Sequence, residues 1–454
     1  MLAAANYMEP DTLQTARTLI VGLGATGLSC ARFLRRRGVE VAVVDSREQP
    51  PALVDMQREL PDVALFTGGF DAEVFARAER ILVSPGVSLR QPLLVAAQQR
   101  GVEVIGDIEL FARTVQAPVI AITGSNGKST VTTLLGAMAQ QAGIDVRVGG
   151  NLGTPALDLI GEQEPDLYVL ELSSFQLETV RSLHCRAATV LNISPDHLDR
   201  YDSMVAYAHA KQRVFADAAL QVVNRDDAVA LALASERAPA VGFGLGVPAA
   251  GDFGLLNQAD GCWLARGNEP WLPASAVRMP GRHNLANALA ALALGDVLDL
   301  PRAAMLQVLG EFQGLPHRTQ WVAEADGVRW YNDSKATNIG AALAAVRGFD
   351  GPLVLLAGGQ GKGADFSELA AGLDARVKAV VLMGEAADEI EAALQGRVAT
   401  RRAADMFTAV REAAALAVAG DTVLLSPACA SFDMFSDYRQ RGERFMQAVQ
   451  ELTR

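Results

Sequence analysis

The chain has no Cys-x-x-Cys pair: its four cysteines, Cys30, Cys185, Cys262 and Cys429, stand far apart in 454 residues. That scatter excludes zinc ribbons and a disulfide framework and points to a reducing compartment. Long apolar runs are also missing, and none approaches the ~18 uncharged residues that a membrane helix needs. Positive charge is in deficit, with 40 Lys and Arg against 52 Asp and Glu and a net charge of −12. A broad nucleic-acid footprint or an anionic-membrane patch is therefore not expected, and any basic site must be local. The opening stretch MLAAANYMEPDTLQTA has no basic segment before an apolar one, so it does not read as a secretory signal. No repeat of fixed period and no low-complexity tract occurs. These absences together predict a soluble cytoplasmic protein.

Half the residues are hydrophobic, and the length exceeds one ordinary core, so roughly two to four domains are expected. Short β-branched runs alternate with alanine-rich helical stretches, which predicts an α/β fold of mostly parallel sheets flanked by helices. Three domains are expected: 1–106, built on TLIVGLGATG and VEVAVVDSR; 107–313, built on the PVIAITGSNGKST region; and 314–454, from GLPHR onward. In such sheets ligands gather beyond the carboxyl ends of the strands, and the polar clusters of all three domains fall at such ends.

The strongest local signal is TGSNGKST, where a strand runs into Gly124, Ser125, Asn126, Gly127, Lys128, Ser129 and Thr130 at a helix start. Glycines let backbone N–H groups close on an anion, Lys128 reaches the outer phosphates, and Ser129 or Thr130 can hold Mg²⁺ by a hydroxyl. A full phosphate-loop pattern needs glycine at position 122, which is Ile122. A plain glycine turn capped by Ser or Thr is the competing account. VGLGATG, with Asp45 about twenty residues on, matches the dinucleotide spacing, although a glycine turn can equally pack a helix on a strand. Gly86 in ILVSPGV adds another strand-end turn.

Glu171 stands near the end of the run YVLEL, where a phosphate-loop protein keeps its magnesium acid. His197 follows ATVLNI in NISPDHLDRY, beside Asp196 and Asp199; a lone histidine there is either structural or a ligand. Lys211 shares a helical stripe with Met204, Tyr207 and Val214. Pattern alone favours a snorkelling ammonium that reaches water. Burial instead would lower its pKa and free the amine to take up CO₂ as a carbamate. In the third domain Arg318, Asp333, Lys335, Thr337, Lys362 and Ser431 place cations and hydroxyls at strand ends of an acidic protein, which suggests anionic ligands.

With TGSNGKST, LELSSFQLE, DHLDRY, GRHNLANALAA, GLPHR, NDSKATN and SPACAS in this order, the chain resembles the Mur ligase family, and within it the branch that adds D-glutamate. The likeness spans nearly the whole chain. It implies an ATP-dependent amide ligase of peptidoglycan precursor synthesis, and so of cell-wall growth, cell shape and division. It would join D-glutamate to UDP-N-acetylmuramoyl-L-alanine through an acyl phosphate, as a monomer with no nucleic-acid or membrane partner. A Rossmann-like first domain would hold UDP through Gly24, Ala25, Thr26, Gly27, Asp45, Ser46, Arg47 and Gly86, with Asn151 on the sugar substrate. Besides the loop at 124–130, Asn287, Arg318, Asp333 and Lys335 would contact ATP. Ser129, Glu171, His197 and carbamylated Lys211 would serve two Mg²⁺ sites, and His197, Thr337, Lys362, Ser431 and Tyr438 would receive D-glutamate. Lys128, His197, Lys211 and Lys335 would be the catalytic set. The third domain is expected to swing toward the central loop. Three alternatives remain at this point: a sibling ligase or folylpolyglutamate synthase adding another amino acid, an NAD-dependent dehydrogenase, and a non-catalytic ATP-binding module.

Overall fold

A computed structural model describes residues 16–452, so the reading of the extreme N-terminus lies outside the described residues. Three sheets organise the chain. In the first, all neighbours are parallel, in the order Ala64–Thr67, Val41–Asp45, Thr18–Val21, Arg80–Val83, Glu103–Ile105. Apolar runs such as TLIV and VAVVD are buried on both faces, which is what a parallel sheet between helices requires.

The central sheet has nine strands. Its parallel core runs Ala240–Phe243, Gln221–Asn224, Ala187–Val190, Val119–Thr123, Leu167–Glu171, Val146–Gly150. An extension of Phe253–Gln258, Gly261–Arg266 and Glu269–Pro273 is joined to this core at Ala240–Phe243, and its own neighbours are antiparallel. Helix Lys128–Gln141 leaves the sheet's carboxyl edge and buries Val131, Leu134, Leu135 and Met138. It packs against helix Arg282–Val297, whose alanine-rich middle is buried all round, so the helix sits inside the domain. The third sheet runs Gln320–Ala325, Val328–Asn332, Thr422–Leu425, Leu353–Gly358, Val377–Met383, Ala399–Arg402, with only the first pair antiparallel. Among the described residues no helix is long and apolar enough to cross a membrane.

The join between the first two sheets is packed. Helix Asp107–Ala112 sits in an apolar cluster that runs from Leu82 and Ile105 to Tyr168 and Leu170, with the Phe111 and Tyr168 rings edge to face at 5.0 Å. Glu109 accepts from the backbone N–H groups of Arg181 (2.6 Å) and Ser182 (3.0 Å). Asp107 accepts from Gln176 Nε2 at 3.0 Å, and burial pushes its carboxyl up to about 6 despite that bond. The folded chain then holds more protons than the unfolded one between about pH 4 and 6, so stability falls as pH rises through that window. The full effect is on the order of 3 kcal/mol. Asp107→Asn is expected to flatten this fall, which denaturant titrations at pH 5 and pH 8 would show as a smaller difference between the two conditions.

Candidate functional site

The loop 124–130 turns on two glycines with positive φ, Gly124 (150°) and Gly127 (82°). A Cβ on Gly127 would stand 2.4 Å from Asn287 Oδ1, so the close approach of helix Arg282–Val297 requires glycine there. The segment after strand Ala187–Val190 holds the loop from the other side. Ser125 N–H donates to Asn192 O (2.9 Å), Asn126 N–H donates to Asn192 Oδ1 (2.8 Å), and Asn192 Nδ2 returns to Asn126 O (3.0 Å). Lys128 Nζ spans the loop, donating to Gly124 O (2.8 Å) and Ser125 O (3.0 Å), and burial lowers its pKa.

Behind the loop lies a carboxylate with an open position. Glu171 Oε1 accepts from Asn151 Nδ2 at 2.6 Å, while Oε2 is buried with no hydrogen-bond partner. Burial pushes this carboxyl up, but the charges of Lys128 and Arg318 help to hold it below its usual range. A buried carboxylate oxygen that interacts with the Ser129 hydroxyl is a donor set that suits a hard cation such as Mg²⁺. His197 has a positive φ of 56°, and its Nε2 lies 3.7 Å from Asp196 Oδ2. Burial lowers its pKa, against the opposing charge of Asp196 and with the help of Lys362 and Lys128. Asp199 is exposed and takes no part.

Lys211 does not snorkel. It is 2% exposed, and its Nζ donates to Gly124 O at 2.9 Å and lies 4.8 Å from the Tyr207 ring centroid. Burial, with Lys128 nearby, drops its pKa far below the usual lysine value. Lys211 lies in the last turn of helix Met204–Gln212, and its amine is held under the loop by the bond to Gly124 O.

The third sheet delivers its strand ends to the same place. Arg318 Nη2 donates to Ser129 Oγ at 2.7 Å, and Asn338 Nδ2 donates to Asp196 Oδ2 at 3.1 Å and Asn126 Oδ1 at 3.3 Å. The expected swing of the third domain is thus not needed to reach the loop in this arrangement. Asp333 accepts from Thr319 N–H (3.0 Å) and Ser426 Oγ (2.8 Å), and burial pushes it up to about 7. Lys335 is lowered to about 8, first by burial and then by Arg318 and Lys128; its Nζ sits 3.8 Å from the Tyr438 ring centroid. Asn126, Gly127, Thr130, Asn287, Arg318, Asp333 and Lys335 share the wall of one cavity of about 390 Å³. Thr337, Lys362, Ser431 and Tyr438 stand off that wall. Lys362 and Ser431 lie on segments joined by the Gln360–Ala430 backbone pair at 2.9 and 3.0 Å.

A second cavity, about 540 Å³, opens where the first and central domains meet. Gly24, Ala25, Thr26, Asp45, Ser46, Arg47, Gly86 and Asn151 line it. Gly27 does not: a Cβ there would lie 2.0 Å from Gly22 O, so its role is to let helix Ala25–Arg36 pack on the strand. Asp45 accepts from Leu23 N–H (2.7 Å) and from Arg47 Nε and Nη2 (2.8 and 2.7 Å), which fixes Arg47 on the cavity wall. Asn151 touches both regions, lining the second cavity and gripping Glu171.

Several residues escape a reading of the sequence. Asn192 and Asn338 brace the loop from two domains; their only advance signal is a position at a strand end or helix start. Arg441 is 1% exposed and donates to Cys429 O, Ala430 O and Ser334 O at 3.0, 3.2 and 2.8 Å, stapling two third-domain loops. Nothing in its helical context marks it.

Family models match in the same order: "Mur ligase MurD-like, N-terminal domain" at 16–106, "Mur ligase middle domain" at 122–295 and "Mur ligase, glutamate ligase domain" at 317–429. Proteins named UDP-N-acetylmuramoylalanine–D-glutamate ligase from Nitrosococcus oceani and Pseudomonas aeruginosa are 56% and 53% identical. They align over 98% and 96% of this chain and 99% and 98% of their own lengths. Among solved structures, a pseudomurein peptide ligase type C from Methanothermus fervidus has a TM-score of 0.61 at 18% identity, covering 96% of this chain and 100% of its own. The UDP-N-acetylmuramate-alanine ligase of Thermotoga maritima has a TM-score of 0.60 with the same identity and coverage, so both share the fold. The chain belongs to the Mur ligase family of ATP-dependent, amide-forming ligases.

Proposed function

We infer that the chain joins D-glutamate to UDP-N-acetylmuramoyl-L-alanine at the expense of ATP, in peptidoglycan precursor synthesis. The observation that carries this reading is the shared cavity, in which Arg318, Asp333 and Lys335 of one domain face the phosphate loop of another. The near-full-length relatives named for the D-glutamate reaction support the choice of substrates. The domain limits that accompany it are 1–106, 107–313 and 314–454, and the working state is a cytoplasmic monomer.

A carboxylate does not condense with an amine unaided, because its oxygen is a poor leaving group. In the proposed sequence a terminal carboxylate oxygen of the muramoyl-alanine substrate attacks the γ-phosphorus of ATP. The bond to the bridging oxygen breaks and ADP leaves. The amine of D-glutamate then attacks the acyl carbon; a C–N bond forms, the C–O bond breaks, and phosphate departs. Lys128 and Lys335 neutralise the phosphates, and Arg318, Asn287 and Asp333 position the nucleotide. His197, whose pKa burial lowers, offers a lone pair either to a cation or to the proton shed by the amine. Gly24, Ala25, Thr26, Gly27, Asp45, Ser46, Arg47 and Gly86 receive the UDP group, with Asn151 toward the sugar. Thr337, Lys362, Ser431 and the Tyr438 segment receive D-glutamate. Ser129, Glu171, His197 and, as a carbamate, Lys211 would hold Mg²⁺, which supplies charge neutralisation at the transferring phosphate.

Phosphate release from ATP is expected only when both the UDP-linked substrate and D-glutamate are present. Release that ignores both, or that follows another amino acid equally well, would overturn the assignment. NAD(H) turnover without ATP would point to the dehydrogenase.

A further inference from the structure

Arg200 stands three residues after His197, on a turn held by its N–H donating to His197 O at 2.9 Å. Its guanidinium crosses into the first domain. Nη1 donates to Pro85 O at 2.8 Å and Nη2 donates to Val87 O at 3.2 Å, so one side chain brackets Gly86 on the rim of the second cavity. Nη2 also meets Glu178 Oε2 at 3.0 Å. The flat face of the same group lies 4.3 Å from the Phe175 ring centroid. Phe175 in turn backs His197 edge to face at 4.7 Å and stacks on Tyr201 at 5.9 Å. A second charged link near this rim, Arg90 with Asp202, is exposed and contributes little.

We propose that Arg200 is a positioning residue that ties the Gly86 rim of the UDP-substrate cavity to the loop carrying His197. Only a planar fork with a flat face can do both: its edge fixes two carbonyls of one domain while its plane fixes an aromatic ring of the next. Where the UDP-linked substrate rests against Gly86, the backbone it meets is set by the side chain that also sets Phe175, and through it the imidazole. The inference rests on the function proposed above.

The test compares Arg200→Lys, which keeps the charge and stem but not the fork, with Phe175→Leu; Arg200→Gln serves as a second probe of the first site. Calorimetric titration with UDP-N-acetylmuramoyl-L-alanine, without ATP, reads the substrate side, and steady-state kinetics read the rest. Arg200→Lys and Arg200→Gln are expected to weaken the UDP-linked substrate at least about tenfold, to lower kcat, and to leave the KM for ATP unchanged. Phe175→Leu is expected to lower kcat without weakening that substrate. Unchanged substrate affinity in the Arg200 variants, or equal weakening of ATP and substrate, would overturn the proposal. If the wild-type chain fails to bind the UDP-linked substrate, the proposed function itself fails.

Discussion

Lys211→Ala is expected to lose ligase activity by on the order of a hundred- to a thousandfold, and acetate or formate added to the variant is expected to restore part of it. An ammonium at Lys211 is buried beneath the phosphate loop and is repelled by Lys128, so the protein favours the neutral amine. As long as it is unmodified, the folded chain binds fewer protons than the unfolded one between its lowered pKa and the usual lysine value. Stability therefore rises with pH across that window. A neutral amine has a lone pair to give to the carbon of CO₂; an N–C bond forms and a proton leaves. The product is an anion, which would attract Lys128 where the ammonium repelled it. Alanine removes that anion, and a small carboxylate diffusing into the gap replaces it. Isotope-labelled bicarbonate would give a carbamate signal by NMR in the wild-type protein and none in the variant. An active variant that ignores added carboxylates would reduce Lys211 to a support for the loop, held by its bond to Gly124 O.

The parallel sheets were legible because their strands are short β-branched runs buried on both faces, each ending at a polar motif; VIAIT before the phosphate loop is the clearest. The antiparallel extension at Phe253–Pro273 was not, because its three strands are joined by tight turns and carry a mixed pattern, FGLLNQ, GCWLAR and EPWLP. In the site, residues that act through their own motif could be read directly: Lys128 inside a glycine turn, Glu171 at a strand end. Lys211 shows the limit. Its helical spacing fits a snorkelling lysine as well as a buried one, and only the loop packed above its amine separates the two. Gly27 shows a second ambiguity, since the spacing that suggests a diphosphate turn also serves a close helix–strand contact. Arg200, Asn338 and Arg441 were invisible because each makes a contact about a hundred residues or more away along the chain, to Pro85, Asp196 and Ser334 respectively.

The bond between Arg318 and Ser129 spans 189 positions and brings a permanent cation of the third domain onto the phosphate loop. Arg318→Ala is expected to raise the KM for ATP and lower kcat, with kcat/KM falling on the order of a hundredfold or more. The removed interaction is a charge-assisted hydrogen bond in a confined cavity, worth about 2–3 kcal/mol, and the variant also loses the charge aimed at the transferring phosphate. Binding of the UDP-linked substrate, measured without ATP, is expected to stay as it was, because Arg318 is absent from the wall of the second cavity. Arg318→Lys is expected to recover only part of the loss, since an ammonium cannot reproduce the forked donor geometry. The turn around Arg318 is built at some conformational cost, with His317 and Thr319 at φ of 62° and 45°, and is clamped by Asp333 on Thr319 N–H and by Lys335 N–H on His317 O. A strained turn held by two further residues of the same cavity is a device for aiming one guanidinium. If Arg318→Ala used ATP as the wild type does, the domains would not be cooperating at that loop, and the ligase chemistry proposed for the shared cavity would have lost its geometric basis.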